Sequence, residues 1–345
     1  MTLFAALEVS LKKTAVSGMD RDGALVREAE VPTCPDALAD LLLAHQGQLK
    51  RVALEAGPMS EWLVSGLARH SLDAVLMETR QAKKALSAMT VKTDRNDARG
   101  LAHLLRMGWF RPVHVKAASA REQRARLAAR TTMVRQVQDL ENSVRGLLRG
   151  FGLRVPVLRR GSWADTVRSL IEDHPSLPGI VAPLLRAREA LRDQLAELDR
   201  QVRNAAREDA VCRRLMTVPG VGAIVALTFR STIDDPGRFR SSRSVGAFLG
   251  LTPRRYQSGE TDRAGAISKV GDATARVALF EAAHVLLTRV SRWSALKAWG
   301  VRLAQRRGTK LVKVALARKL ATVLHRMWVS EADFHHGTPA AAMEV

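Results

Sequence analysis

Four acidic residues in the first hundred positions are spaced as a metal-binding site would require. Glu8 lies inside an apolar run, Glu55 ends a second apolar run, and Asp94 and Asp97 stand three residues apart in a segment with helical character. Side chains three apart on a helix project from one face. Carboxylates that lie close together repel one another unless a cation separates them, and their hard oxygens favour Mg²⁺ or Mn²⁺. Two such ions about 4 Å apart can activate the attacking oxygen and stabilise the leaving oxygen at a phosphodiester.

The elements around these acids favour a ribonuclease H fold. Strands are expected at 2–9, 14–20, 24–29, 51–55 and 74–77, and helices at 35–44, 59–70 and 94–106, the last capped at Thr93 or Asp94. In that topology the first and fourth strands are neighbours and the last helix packs across their ends. The four acids would then converge. Taken singly, each acid has an ordinary alternative explanation. An Asp-x-x-Asp pair is typical of the capped start of a helix, and Glu55 could be a surface residue at the rim of the sheet.

Length and composition limit the classes of protein. A chain of 345 residues is too long for a single core, and 46% apolar residues exclude a disordered protein. The N-terminus has no signal-peptide pattern, no apolar run is long enough for a membrane span, and two distant cysteines exclude a disulfide framework or a cysteine zinc site. We therefore expect a cytoplasmic protein without a membrane partner.

Positive charge is concentrated in the later part of the chain. Residues 1–110 carry 14 Lys and Arg against 13 Asp and Glu, whereas residues 111–345 carry 41 against 21. A localised surplus of this kind indicates a polyanionic partner, because each neutralised phosphate releases counterions. The alternative is a solvated surface rich in arginine. Nucleic acid is the favoured partner.

The remaining chain is predicted to be helical. Heptad-spaced apolar residues in helices at 119–150 and 180–208 indicate an antiparallel coiled-coil hairpin that serves as a spacer or dimerisation arm. The heptad residues are Val137, Val144 and Phe151 for the first helix and Leu184, Leu191, Leu195, Leu198, Val202 and Ala205 for the second. The predicted divisions are 1–115, 116–210 for the arm, 211–330 for a compact and mostly helical domain, and 331–345 for a frayed tail that exposes His335 and His336.

The segment LMTVPGVGAIVAL (215–227) fits a helix-hairpin-helix. In that motif a turn such as Gly220-Val221-Gly222 offers backbone amides to a phosphate without reading base sequence. An ordinary break between two helices is the alternative.

Three motifs together resemble one known family. They are KTDRNDA (92–98), VPGVG (218–222) and the stretch FLGLTPRRYQSGETDRAGAISKVGDATARVALFEAA (248–283). The chain resembles, from its N-terminus to about Trp328, the transposases of bacterial insertion-sequence family 110. The resemblance implies a RuvC-type nuclease domain joined by a coiled coil to a domain that supplies a nucleophilic serine. It also implies a structured noncoding RNA that bridges donor and target DNA by base pairing.

Carried over residue by residue, the metal ligands of the family fall on Glu8, Glu55, Asp94 and Asp97, and its serine falls on Ser258. The family usually has Asp in the first strand, so either the site tolerates Glu8 or this copy is impaired; tolerance is the favoured interpretation. A serine that attacks a phosphodiester leaves a phosphoserine linkage, which conserves the energy needed to rejoin strands. The basic residues expected to neutralise phosphate charge are Arg254, Arg255, Arg263 and Lys269. The rival nucleophiles are Ser241, Ser242, Ser244 and Tyr256.

We therefore expect a DNA transposase that acts through a covalent phosphoserine–DNA intermediate, guided by a bridge RNA. The expected partners are double-stranded DNA, that RNA and further copies of the chain in a dimer or tetramer, associated with the bacterial nucleoid when bound. The alternatives are a structure-selective nuclease that uses the acids alone and a nucleic-acid-binding protein without catalysis.

Overall fold

The computed structural model describes residues 2–45, 47–87, 90–156 and 162–337. Its internal contacts divide the chain into two compact units, Met1–Lys116 and Ala117–Val345. The finer division at residues 115, 210 and 330 stays a prediction. Across the described residues, no helix is both long and apolar enough to cross a membrane.

The first unit is a mixed α/β domain. Its elements are β1 (Leu3–Val9), β2 (Lys13–Met19), β3 (Leu25–Pro32), α1 (Pro35–Leu43), β4 (Leu49–Glu55), α2 (Ser60–Arg69), β5 (Ala74–Met77), α3 (Thr79–Leu86), α4 (Asp94–Met107) and β6 (Pro112–Val113). Within the described part of the chain they form a six-stranded sheet of order β3-β2-β1-β4-β5-β6. The β1–β4 and β4–β5 pairs are parallel, and the other pairs are antiparallel.

This sheet is consistent with the predicted ribonuclease H-like domain. Strand β1 pairs with β4 as expected, and every predicted element is present to within two or three residues at its ends. Two elements were not predicted. Helix α3 is only eight residues long, and its short apolar stripe of Ala82, Ala85 and Leu86 was overlooked, while β6 is two residues long.

The two faces of the sheet have separate cores, because successive side chains of a strand alternate between faces. Leu7 and Leu54 pack on one face with residues of α1 and α2 such as Leu38 and Leu63. On the other face, Ala6 and Ala53 pack with a second core group that includes Met77, Leu101 and Leu105. Helix α4 therefore covers the face that carries the small alanines.

The second unit is built from helices and one β-hairpin. Its elements are α5 (Ala118–Arg149), α6 (Trp163–Ile171), α7 (Leu177–Glu208), α8 (Ala210–Leu215), α9 (Ala223–Ile233), a 3-10 turn (Pro236–Arg238), α10 (Ser242–Phe248), β7 (Pro253–Ser258), β8 (Thr261–Ile267), α11 (Ala273–Thr288), α12 (Ala295–Arg307) and α13 (Thr309–Val329). One core, formed by residues of α5 and of α7 to α13, includes Phe229, Leu279 and Leu320.

Helices α5 and α7 form the predicted antiparallel pair. Arg130 of α5 bonds Asp199 of α7 through Nε and Oδ1 at 2.5 Å, and Arg188 of α7 bonds Glu141 of α5 at 2.6 Å, so the chain directions are opposed. Of the heptad residues, Val144 and Val202 are buried, but Phe151 is 51% exposed because α5 already ends at Arg149. The predicted stripe was therefore wrong at its last position.

The C-terminal region is mostly helical, and the segment 253–267 adds a β-hairpin that was not predicted, with Gly259 in its turn. One expectation for this region needs correction. The tail is not frayed from 331, because the Phe334 backbone N–H donates to Thr217 Oγ1 at 3.0 Å and the Phe334 ring packs on the core. His336 packs edge-on against Phe334, while 338–345 lie outside the described residues.

Candidate functional site

Strand alternation places two of the predicted acids on one face of the sheet. Ala6 of β1 lies opposite Ala53 of β4, and both face the core under α4. Glu8 and Glu55 each follow two residues later, so their side chains point to that same face at the same end of two adjacent parallel strands.

Helix α4 brings the two aspartates to this end. It is capped by Thr93, whose hydroxyl accepts the Asn96 N–H at 3.2 Å. Asp97 is only 8% exposed and lies one turn before the buried Leu101, on the stripe that packs against the sheet. Asp94 is exposed and accepts a hydrogen bond of 3.2 Å from the Ser10 hydroxyl, just beyond the end of β1.

Three of the four acids line one cleft. The cleft has a volume of about 760 Å³ and is lined by Glu8, Glu55 and Asp97, by the 56–60 turn that follows β4, and by Thr79, Lys83 and Lys92. Sequence reasoning missed Ser10, Thr79 and Lys83 as neighbours of the acids. Lys92 belongs to the KTD motif, so its position beside the acids was the one available signal.

The carboxylates of the cleft are close enough for their negative charges to repel one another. Burial, together with the charges of Glu55, Asp97 and Asp94, raises the pKa of Glu8 to about 7, and the charge of Lys92 acts in the opposite direction. Burial also raises the pKa of Glu55, although the Thr79 hydroxyl lowers it. Crowded carboxylates of this kind are relieved by a proton or by a cation.

The donor set suits a divalent cation. Carboxylate oxygens on a partly buried surface are the ligands that Mg²⁺ and Mn²⁺ prefer. Among the residues that the structure describes, however, no group of three or more His, Cys, Asp or Glu side chains is gathered closely enough to hold a metal ion. Three of the acids therefore line one cleft, where burial and neighbouring negative charges raise the pKa of Glu8 and Glu55, but the acidic side chains are not positioned to coordinate a metal ion.

Ser258 lies at the tip of the β7–β8 hairpin. It pairs with Thr261 across a loop of two residues, Gly259 and Glu260, and Gly259 has φ of +53°, which a residue with a Cβ rarely adopts. Every residue of β7 is exposed, so the Ser258 hydroxyl is open to solvent. An exposed hydroxyl at a tight turn is accessible to a large substrate.

The strand pairing shows on which face of the hairpin each predicted cation lies, because residues paired across strands share a face. Arg263 lies opposite Tyr256 and therefore on the side of Ser258. Arg255 lies on the other side, where its guanidinium makes two hydrogen bonds of 2.8 and 2.5 Å to the Asp262 carboxylate.

The other two cations lie at the hairpin root. Arg254, at a break in the strand register, donates to the Ser268 carbonyl at 3.2 Å. Lys269 has left-handed backbone with φ of +54° and donates its N–H to the Gly250 carbonyl at 3.1 Å. Arg263 is therefore the predicted cation that shares the tip and the face of Ser258.

Among the rival nucleophiles, Ser242 has the most developed environment. His325 is 2% exposed, and its Nε2 donates to the Pro236 carbonyl at 3.0 Å, which leaves Nδ1 to accept from the Ser242 hydroxyl at 2.9 Å. Burial lowers the pKa of His325 and keeps the ring neutral. This network is fully bonded and half-buried, as a structural network is. Ser241 precedes α10 without a side-chain cap bond, and its backbone carbonyl accepts from the Ser244 hydroxyl at 2.6 Å. Tyr256 is 66% exposed.

The Gly220-Val221-Gly222 turn joins α8 to α9. Gly220 has φ of +90°, and a Cβ there would come within 2.7 Å of the Ala282 carbonyl oxygen of α11, so this glycine is required by packing. Gly222 precedes the first residue of α9, and a Cβ there would meet nothing within 4 Å. Open space is thus found beside Gly222 and not beside Gly220.

Two family models match the chain. Residues 5–152 match a model described as a transposase of the DEDD type of IS110, a span that contains all four acids. Residues 212–299 match the model described as the transposase IS116/IS110/IS902 family, a span that contains Ser258 and both turn glycines.

Curated relatives are similar over most of the chain. A probable family 20 transposase of Pseudomonas aeruginosa is 32% identical over 71% of this chain and 75% of its own length. A transposase for insertion sequence element IS1111A of Coxiella burnetii is 29% identical over 71% of this chain and 69% of its own. A putative transposase y4pF/y4sB of Sinorhizobium fredii is 32% identical over 69% of this chain and 63% of its own.

Proposed function

Because the chain belongs to the IS116/IS110/IS902 family of transposases, we propose that it excises and inserts its element through a covalent phosphoserine–DNA intermediate. The observation that carries the proposal is the cleft in which Glu8, Glu55 and Asp97 meet from three separate elements. The gathering of carboxylates from β1, β4 and α4 in one cleft supports a metal site. The first unit would then be the metal-dependent part of the enzyme.

Glu8, Glu55, Asp94 and Asp97 would hold Mg²⁺ or Mn²⁺. When bound, the cations would neutralise charge at the phosphodiester and lower the pKa of an attacking oxygen. The residues themselves are positioned by the sheet and by the first turn of α4, while Ser10 and Thr79 orient Asp94 and the 55–56 strand end. The longer side chain of Glu8, in place of Asp, would be tolerated because the acids are not arranged as a fixed coordination shell.

Ser258 would supply the nucleophile. Its Oγ loses a proton and bonds the phosphorus, the bond from phosphorus to one sugar oxygen breaks, and that oxygen leaves as a hydroxyl after taking up a proton. The reverse attack by a sugar hydroxyl rejoins a new strand and frees the serine, so no external energy source is required. Arg263, on the same face of the hairpin, would neutralise charge on the phosphate.

The second unit would also bind the nucleic acids. We propose that the α5–α7 pair is a coiled-coil arm that serves as a spacer or for dimer or tetramer formation. We also propose that the protein binds a structured bridge RNA whose pairing selects donor and target DNA. Helix α8, the turn and α9 would form a helix-hairpin-helix in which Gly222, rather than Gly220, leaves backbone amides open to a DNA phosphate.

The deciding experiment looks for the covalent adduct. Labelled DNA that carries the element junction is incubated with protein, RNA and Mg²⁺, then denatured and separated by electrophoresis. Wild-type protein should give an alkali-labile protein–DNA band that Ser258→Ala eliminates. Tyr256→Phe and Ser242→Ala are the matched controls and should retain the band.

Two results would contradict the serine mechanism. One is a band that survives Ser258→Ala and disappears with Tyr256→Phe or Ser242→Ala. The other is cleaved DNA without any adduct at any time, which would favour a nuclease that uses the acids alone.

A further inference from the structure

A second groove lies at the root of the β7–β8 hairpin. Its volume is about 780 Å³, and its apolar walls include Pro253 and Ile267 from the hairpin, Trp299 from α12, and Leu311, Val314 and Ala315 from α13. Leu311 is 64% exposed, although it is a large apolar side chain. Neither the predicted nucleophile nor the predicted cations of the hairpin tip line this groove.

The rim of the groove is cationic. Arg243, Arg318 and Lys319 line it, and its lining contains no Asp or Glu. None of these three cations makes an ion pair with a carboxylate among the residues that the structure describes. The whole stretch 282–330, which supplies α12 and α13, has 11 Lys and Arg and no acid.

Lys319 links the rim to the apolar wall. Its Nζ lies 4.6 Å from the centroid of the Trp299 ring, and burial lowers the pKa of this lysine. A cation held over an indole beside an apolar surface is suited to a ligand that is flat and apolar in one part and anionic in another. A purely apolar ligand would leave three cations without partners, and an acidic peptide would leave the apolar walls uncovered.

We propose that this groove binds one unpaired nucleotide of the DNA strand that the hairpin engages. The base would lie against Trp299 and the aliphatic walls, and the flanking phosphates would contact Arg243, Arg318 and Lys319. The inference rests on the proposed function, since that function brings DNA to the hairpin. It adds a site that holds an extruded base during strand exchange, when base pairs must open.

The spacing along the hairpin is consistent with this role. Pro253 at the root and Ser258 at the tip are five residues apart on β7. At about 3.3 Å per residue the two lie roughly 16 Å apart, which is about five steps of B-form DNA. The bound nucleotide would therefore lie a few steps from the phosphodiester that Ser258 attacks.

The test compares three DNA duplexes that differ at one position, which is a bulged thymidine, a bulged abasic site or no bulge. Wild-type protein should bind the thymidine bulge about tenfold more tightly than the abasic bulge, because an aromatic contact contributes about that factor per base. Ala315→Phe fills the groove without removing charge, and it should abolish the preference while general affinity for the paired duplex stays the same.

A charge-matched pair of triple variants separates the groove from general electrostatics. Arg243→Gln, Arg318→Gln and Lys319→Gln together should weaken binding of the thymidine bulge more than Arg302→Gln, Arg306→Gln and Arg307→Gln together. The second set removes equal charge from exposed positions of α12 outside the groove. Equal losses for both sets, or no preference for the thymidine bulge in the wild type, would overturn the proposal.

The adduct assay on the same variants keeps the two proposals apart. A wild-type phosphoserine adduct without any bulge preference would refute the groove and leave the transposase mechanism intact. A bulge preference that Ala315→Phe removes would support the groove even if Ser258 formed no adduct.

Discussion

The carboxylate cleft and the serine hairpin hold their reactive groups in opposite ways. Glu8, Glu55 and Asp97 extend from two central strands and a packed helix, and the small residues beneath them are buried. Ser258 stands on a strand whose residues are all exposed, held by a two-residue turn. The acids are therefore positioned by the core of a domain, whereas the serine is positioned by local backbone pairing and by whatever binds the hairpin.

This difference predicts different responses to substitution. A packed site loses function when a ligand is removed and loses stability when its support is removed. An exposed site loses function only when the reactive group or its electrostatic partner changes, because little of it contributes to the folding free energy.

The largest effect is expected at the acids. Asp97→Ala, Asp94→Ala or Glu55→Ala should each abolish strand transfer, with a loss of about a thousandfold or more, because each removes a charge that the proposed cations require. Binding of DNA and RNA should stay close to that of the wild type, since phosphate contacts are untouched. Transposition assays and gel-shift titrations measure the two quantities.

Normal transposition by any one of these variants would remove that acid from the site. Asp40→Ala is the matched control, because Asp40 is an exposed acid on α1 outside the cleft. It should behave as wild type in both assays.

The same contrast explains what could be predicted from the sequence. Around Glu8 and Glu55 the apolar runs, the turns and the positions of the acids all indicate the ribonuclease H topology. They do so because the buried, parallel strands β1 and β4 require apolar residues along most of their length. Helix α4 was predicted with a cap at Thr93 or Asp94, and in the structure Thr93 is the cap. Helix α3 was missed because its apolar stripe, Ala82, Ala85 and Leu86, spans a single turn of small or partly exposed residues.

The hairpin could not be predicted in the same way. Its residues are exposed on both faces, so no alternation of apolar and polar residues marks the strands. Ser258 was found only through the resemblance to a family. Arg255 and Arg263 were both expected to neutralise phosphate charge, but the strand pairing places their side chains on opposite faces of the hairpin.

A stability comparison is expected to show the next largest effect. Leu54 is fully buried in the sheet beside Glu55, so Leu54→Ala should lower the free energy of unfolding by about 2–5 kcal/mol. Tyr256→Ala on the hairpin should change it by less than about 0.5 kcal/mol. Urea denaturation, monitored by circular dichroism, measures the free energy of unfolding of both variants. Equal losses of this free energy would show that the hairpin is part of the folded core.

The two faces of the hairpin offer a sharper contrast. Arg263→Gln should reduce the rate of adduct formation about tenfold, because Arg263 shares the face of Ser258 and would neutralise phosphate charge. Arg255→Gln should reduce it less than about twofold, since Arg255 is paired with Asp262 on the opposite face and an exposed ion pair contributes little. Single-turnover adduct formation is the measurement. A greater loss with Arg255→Gln would reverse the assignment of faces.

The smallest effect concerns the pH dependence of stability at Glu8. Its folded pKa is raised to about 7 from an ordinary value of 4.5, so the folded state holds this proton more tightly than the unfolded state. The stabilisation is therefore complete below pH 4.5 and is lost as the pH rises through about 7. In EDTA, the melting temperature of the wild type should fall by about 2–4 °C more than that of Glu8→Gln between pH 5 and pH 8.

Mg²⁺ should reverse this loss at pH 8 and have less effect at pH 5, because protons compete with the cation for the carboxylates. Glu8→Gln should show a weaker response to Mg²⁺ at both pH values, whereas Glu8→Asp should keep the response of the wild type, since it keeps the charge. Asp40→Asn, outside the cleft, should follow the wild type throughout. If Glu8→Gln gained the same stabilisation from Mg²⁺ at pH 8 as the wild type, Glu8 would not be a ligand. The core-positioned acids would then number three, and the first strand would serve only to shape the cleft.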